Sequence, residues 1–154
     1  MTETSTPTDE ARAIVGLIQT QAGLYQELEA LSERQHAYVQ ANQTDAVITV
    51  LGQRQAVIDR ISAVSADLAP FQAGWDRHIE GMPESVRSSV RASLSQVQAS
   101  LRRISERDEQ DKAVMEARRR TVGDQLSDLR RSDQAVQAYV GKSAKGPRFQ
   151  DRSA

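Results

Sequence analysis

His36 and His78 are the only imidazoles in the 154-residue chain, and there is no cysteine. That removes thiol nucleophiles, zinc–thiolate sites, iron–sulfur clusters and disulfides from consideration. Glu33-Arg34-Gln35-His36 spells Glu-x-x-His, a spacing that places a carboxylate and an imidazole on one helix face. Di-iron bundles need two such motifs plus further inward-facing glutamates, and there is no second motif to complete a ligand set. Asp108, Asp111 and Glu116 cluster, but Arg107, Lys112 and Arg118 to Arg120 alternate with them. A solvated charged face is expected there rather than an acid–base pair. No glycine-rich phosphate loop, dinucleotide fingerprint or Gly-x-Ser-x-Gly elbow is present. The expectation is a non-enzyme with no catalytic residue, no cofactor and no metal.

Arg118-Arg119-Arg120 and Arg130-Arg131 could touch phosphates. Residues 102–131 hold nine basic and seven acidic side chains, so the local field nearly cancels. No aromatics interleave to stack on bases, and nucleic-acid binding is not expected. Net charge is −1. Residues 1–70 carry 4 basic and 9 acidic groups and residues 71–154 carry 16 and 12, giving −5 and +4. Opposite signs favour packing of the two parts on each other.

The elements that must position these groups are helical. Ile14, Leu17, Gln21, Leu24, Leu28, Leu31, Gln35 and Tyr38 alternate steps of three and four, the rhythm of a bundle-facing helix. Ile18 and Tyr25 widen the stripe. A first helix is predicted over about 7–41, with Thr6 as its cap, Pro7 in the first turn and Asn42 as its stop. A second over about 46–69, capped by Thr44 or Asp45 and ended by Pro70, carries Val47, Val50, Arg54, Val57, Ile61, Val64 and Leu68. Leu51 and Ile58 flank that seam. The short connection makes the pair antiparallel.

Residues 70–82 are punctuated by Pro70, Gly74 and Gly81, yet contain Phe71, Trp75, Ile79 and Met82. They predict an irregular cap or short helix over the end of the hairpin, with Trp75 as packing mass. From Pro83 no breaker occurs until Gly141, so a third helix over about 83–140 would be ~87 Å long against ~50 and ~36 Å for the first two. Its first half has a full seam (Val90, Leu94, Val97, Leu101, Ile104). Asp108 and Asp111 then take seam positions, and a kink near 105–111 or at Gly123 is compatible with the sequence.

Beyond that point Met115, Val122, Leu126, Leu129 and Val136 continue the apolar row, with Tyr139 and Val140 after it. Two shorter helices cannot cover so long a third one. An uncovered stripe of this kind marks a partner site that an amphipathic helix completes. The bland alternative is a narrow, merely solvated stripe. A smaller pattern, Gly16, Gly23, Ala30 and Ala37 at seven-residue intervals on the opposite face of helix one, is read as tolerated surface glycine and alanine.

The predicted fold class is all-α: an elongated antiparallel three-helix bundle or coiled coil with a long third helix. Residues 1–6 are expected to be a disordered N-terminus, 7–140 one helical domain with its cap at 70–82, and 141–154 a basic disordered tail (Lys142, Lys145, Arg148, Arg152). No run approaches 18 apolar residues and the first residues resemble no signal peptide, so no membrane insertion and a cytoplasmic location are expected.

Residues 24–62 combine Leu24-x3-Leu28, Gln35-x2-Tyr38, the hinge Ala41-Asn42-Gln43-Thr44-Asp45-Ala46 and Leu51-x3-Gln55-x2-Ile58-x2-Ile61. This stretch resembles the helical hairpin of flagellar export chaperones of the FlgN type. The chain length, mild acidity, missing cysteine, long third helix and ending Ala138-Tyr139-Val140-Gly141 are similar as well. The resemblance implies a cytoplasmic chaperone for type III export. Its clients would be the C-terminal helical segments of hook-associated (hook-filament junction) proteins. It would prevent their premature assembly and deliver them to the cytoplasmic domain of the flagellar export gate. It further implies client contact along the third helix and gate docking by a tyrosine near its end, a position that Tyr139 matches. The competing expectation is a self-associating coiled-coil scaffold, a homodimer through the same stripe.

Overall fold

The structure, a computed structural model, describes residues 7–144. The expected disordered residues 1–6, the Thr6 cap and the tail from Lys145 onward lie outside the described residues. Four helices follow one another: α1 (Pro7–Gln40), α2 (Thr44–Gln72), α3 (Trp75–Glu80) and α4 (Glu84–Ala144). The class is all-α. The chain divides into two compact units, Met1–Lys112 and Ala113–Ala154, so α4 contributes to both, where one domain over 7–140 was expected.

α1 begins with Asp9 and Glu10 in its first turn, where the positive end of the helix dipole stabilises carboxylates. It ends in a Schellman motif. Asn42 adopts φ 55°, the Gln43 N–H donates to the Tyr38 carbonyl at 2.9 Å, and the Asn42 N–H donates to the Val39 carbonyl at 3.1 Å. Asn tolerates the left-handed conformation better than most residues, which is why the chain can reverse there within three residues. The expected Thr44 or Asp45 cap is not found. Gln43 occupies the cap position without a side-chain bond, Thr44 is already helical, and Asp45 acts through the dipole instead.

α2 does not stop before Pro70 but runs through it to Gln72. Pro70 lies in the last turn, where only one intrahelical donor is lost. Continuing the helix brings Phe71 against the core. Gly74, at φ 91°, then turns the chain into α3. Residues 70–82 are therefore mostly helical, and their apolar side chains behave as packing mass. Phe71, Trp75 and Ile79 lie against a core cluster of Ile14, Ile18, Leu68, Met82 and Val90.

A second cluster joins Leu24, Leu28, Val57, Ile61 and Ile104. Together the clusters tie α1, α2 and the first stretch of α4 into a bundle within the first unit. Polar contacts fix the register. Glu29 meets Ser100 and Arg103, Glu33 meets Arg107, and His36 meets Asp111, so α1 and α4 run parallel with a constant offset. α2 is antiparallel to both. The buried face of α1 is wider than its expected seam and includes Ala22, Ser32 and Val39, because α1 packs on two neighbours.

α4 is helical through 105–111, through Gly123 and past Gly141 to Ala144, although a stop near residue 140 was expected. A helical glycine costs only about 1 kcal/mol relative to alanine, too little to end a helix by itself. Gly16 and Gly23 of the small-residue row on α1 are exposed and have open space around them.

Candidate functional site

Two places concentrate side chains that a simple core does not explain. The first is a polar knot in the first unit. Gln35 on α1, Arg54 on α2 and Asp108 and Asp111 on α4 all occupy positions where the helical rhythm calls for apolar residues. The Arg54 guanidinium donates twice to Asp108, at 2.7 Å to Oδ1 and 2.8 Å to Oδ2. It also donates to Gln35 Oε1 at 2.6 Å. Gln35 Nε2 passes the chain on to Asp111 Oδ2 at 3.2 Å. The His36 Nδ1 lies 2.7 Å from Asp111 Oδ1. Asp111 is 0% exposed. The solvated charged face expected there does not hold for Asp111, which turns inward to Gln35 and His36; Asp108 takes the Arg54 fork while its side chain stays 39% exposed.

A fully buried carboxylate is tolerated only when its oxygens are satisfied, as both are here. The Arg54 guanidinium is held above its ordinary pKa, chiefly by its hydrogen bonds to Asp108 and against the opposing effect of burial. No group of three or more His, Asp or Glu side chains among the described residues could hold a metal ion, and His36 of the Glu-x-x-His motif is instead engaged with Asp111.

Around the knot, charge pairing follows the sign difference between the two parts of the chain. Glu29 accepts from Ser100 at 2.7 Å and pairs with Arg103, and Glu33 pairs with Arg107 at 3.1 Å. The Arg103 guanidinium lowers the Glu29 pKa against the effect of burial, with help from Ser100. Rim pairs of this kind are screened by water and contribute little to stability.

The second place is the α4 stretch of the second unit. Every residue from Arg119 to Gly141 is exposed. Met115 is 42% exposed, Leu129 65% and Tyr139 75%; Val122, Leu126 and Val136 are exposed as well. At 3.6 residues per turn, Met115, Val122, Leu126, Leu129 and Val136 fall within a sector of about 80°. Val140 shares that sector, and Tyr139 stands about 60° beyond its edge. The helix thus presents an aliphatic row with Asp133 set within it and Arg118 at its edge, and with the tyrosine to its side. Thr121 satisfies its hydroxyl internally by donating to the Ala117 carbonyl at 3.0 Å.

Sequence reasoning found the exposed row and missed the knot. Its signal was present as three polar interruptions, at Gln35, Arg54 and Asp108/Asp111, in the seams of three helices. A further set of exposed apolar side chains, Ile48, Leu51 and Ile58 on α2 and Leu101 on α4, also escaped notice as an exposed group. No described helix is long and apolar enough to cross a membrane.

No curated protein and no solved structure matches the chain. The sequence profile of the family described as FlgN protein matches residues 10–145, most of the chain and nearly all of the helices built above. The chain belongs to that family, the FlgN family of flagellar export chaperones.

Proposed function

We propose that the chain is a cytoplasmic, non-enzymatic chaperone of type III export. Its clients are hook-associated proteins, bound by their C-terminal helical segments. The client helix lies on Met115, Val122, Leu126, Leu129 and Val136, completing the half-dressed face of α4. Covering that segment keeps the client from assembling early, and the complex is carried to the export gate, where Tyr139 makes the docking contact. The observation that carries the reading is the aliphatic row exposed along α4, in a chain whose family is one of export chaperones.

The thermodynamics suit a carrier. A client segment that is disordered when free pays for its ordering on binding, which lowers net affinity and permits release. The row is narrow, so few side chains hold most of the binding energy, as in other helix-in-groove contacts.

The test is the affinity of the purified chain for the C-terminal segment of a hook-associated protein. Leu129→Asp combined with Val136→Asp is expected to weaken it at least about 100-fold, since two charges enter the apolar contact. Equal affinity for both forms removes the site. Tyr139→Ala is expected to leave client affinity intact and to weaken binding to the cytoplasmic domain of the export gate; the opposite pattern removes the assigned roles. Sedimentation equilibrium separates this function from a self-associating scaffold, for which the same row would pair two copies.

A further inference from the structure

The charges of the second unit are sorted around the helix, although they nearly cancel along the sequence. Between Ala113 and Gly141 there are five arginines (118, 119, 120, 130 and 131) and four acids (116, 124, 128 and 133), a net of +1. On the helical projection Arg119 and Arg130 stand about 60–80° from the middle of the aliphatic sector, directly along one edge. Arg118 stands at the other edge, about 40° from the middle. Glu116, Asp124 and Asp128 lie about 120° or more away, on the back, where Arg120 and Arg131 offset them. Asp133 stands inside the aliphatic sector, about 20° from its middle, and accepts a hydrogen bond from Gln137 at 3.4 Å. One edge of the apolar row is therefore cationic, carrying Arg119 and Arg130 with no acid on that edge, while Asp133 lies within the row itself.

We infer that the segment taken up by this row is an amphipathic helix whose aliphatic face is edged by aspartate or glutamate, set opposite Arg119 and Arg130. The inference rests on the docking role proposed above for the row and names the chemistry of what lands there. An apolar contact alone fixes neither the direction nor the register of a bound helix. Charges at its edges do both, and they raise the rate of encounter. Guanidinium groups suit the task, because their planar forks take carboxylates two bonds at a time. A second copy of this chain would bring the same surplus of cations to the contact, which favours a foreign, acidic-edged partner.

The experiment uses the full chain and, as probe, the purified C-terminal segment of a hook-associated protein. Affinity is measured at about 50 and about 500 mM NaCl, where screening lengths differ several-fold. Four proteins are compared: the unaltered chain, Arg119→Glu with Arg130→Glu, Arg120→Glu with Arg131→Glu on the back face, and Leu129→Asp. Circular dichroism confirms equal helicity. The expected result is a loss of at least tenfold for the front pair at low salt, shrinking at high salt, with less than about twofold for the back pair. Replacing the probe's edge carboxylates by lysine should restore affinity to the front-pair variant. If Leu129→Asp abolishes binding while the front pair binds as well as the unaltered chain, the acidic edge is refuted and the docking row stands. If Leu129→Asp also binds normally, the docking row itself fails. A dimer that front-pair reversal strengthens and the probe does not displace would assign the row to self-association and overturn the inference.

Discussion

α4 carries one heptad rhythm through two settings. Up to Lys112 Val90 and Ile104 are sealed in core clusters, although Leu101 is exposed, and Arg103, Arg107, Asp108 and Asp111 find partners on α1 and α2. From Ala113 onward the same rhythm continues with Val122, Leu129 and Val136 in the open. The pattern of a bundle seam therefore does not by itself say who completes the bundle. What distinguishes the stretches is the supply of neighbours, and it separates residues that hold the fold from residues that the fold leaves uncovered.

Stability measurements can break that distinction. Ile14, fully buried, should lose about 2–5 kcal/mol of stability on Ile14→Ala, read from urea or thermal unfolding. A loss below about 0.5 kcal/mol would mean that the first cluster is not a packed core. Arg54→Ala should cost about 1–3 kcal/mol, because it strips Asp108 and Gln35 of their donor inside the bundle. Arg54→Lys should recover only part, since an ammonium cannot donate to both Asp108 oxygens in the same fork.

Acid sharpens the comparison further. The Glu29 pKa is lowered in the folded state, so its contribution is complete above the ordinary carboxylate range. It fades as pH falls through the depressed folded value. Unfolding midpoints of the unaltered chain and Glu29→Gln should differ above the ordinary carboxylate range and converge as pH falls below the depressed folded value, by a small margin for a water-screened rim pair. The smallest change is expected for Leu129→Ala. It should leave stability within about 0.5 kcal/mol while weakening client binding measurably, a split that no core residue would show.

How much of this was legible in the sequence differs by residue. Ile14, Leu24, Leu28, Val57 and Ile61 announce themselves by spacing, because burying an aliphatic side chain is the dominant local demand. Leu129 and Val136 were readable as uncovered from the lengths of the helices alone. Asp111 was not. A carboxylate at a seam position looks like an interruption until Gln35 and His36 arrive from α1, and that pairing depends on a register no single helix encodes. Pro70 misled for a related reason: its local cost is fixed, while the reward for continuing, the seating of Phe71, is tertiary. The end of α4 was misplaced because Gly141 is only mildly unfavourable in a helix.

The lone tryptophan has a practical consequence. Trp75 lies against the cluster of Ile14, Ile18, Leu68, Met82 and Val90, and no other indole competes with its emission. Its fluorescence is an intrinsic thermometer for that one cluster, whereas far-ultraviolet ellipticity averages over every helix. If both signals trace one denaturation curve, the molecule melts as a single cooperative body; a lag between them would time the fraying of the open stretch of α4 without any added label.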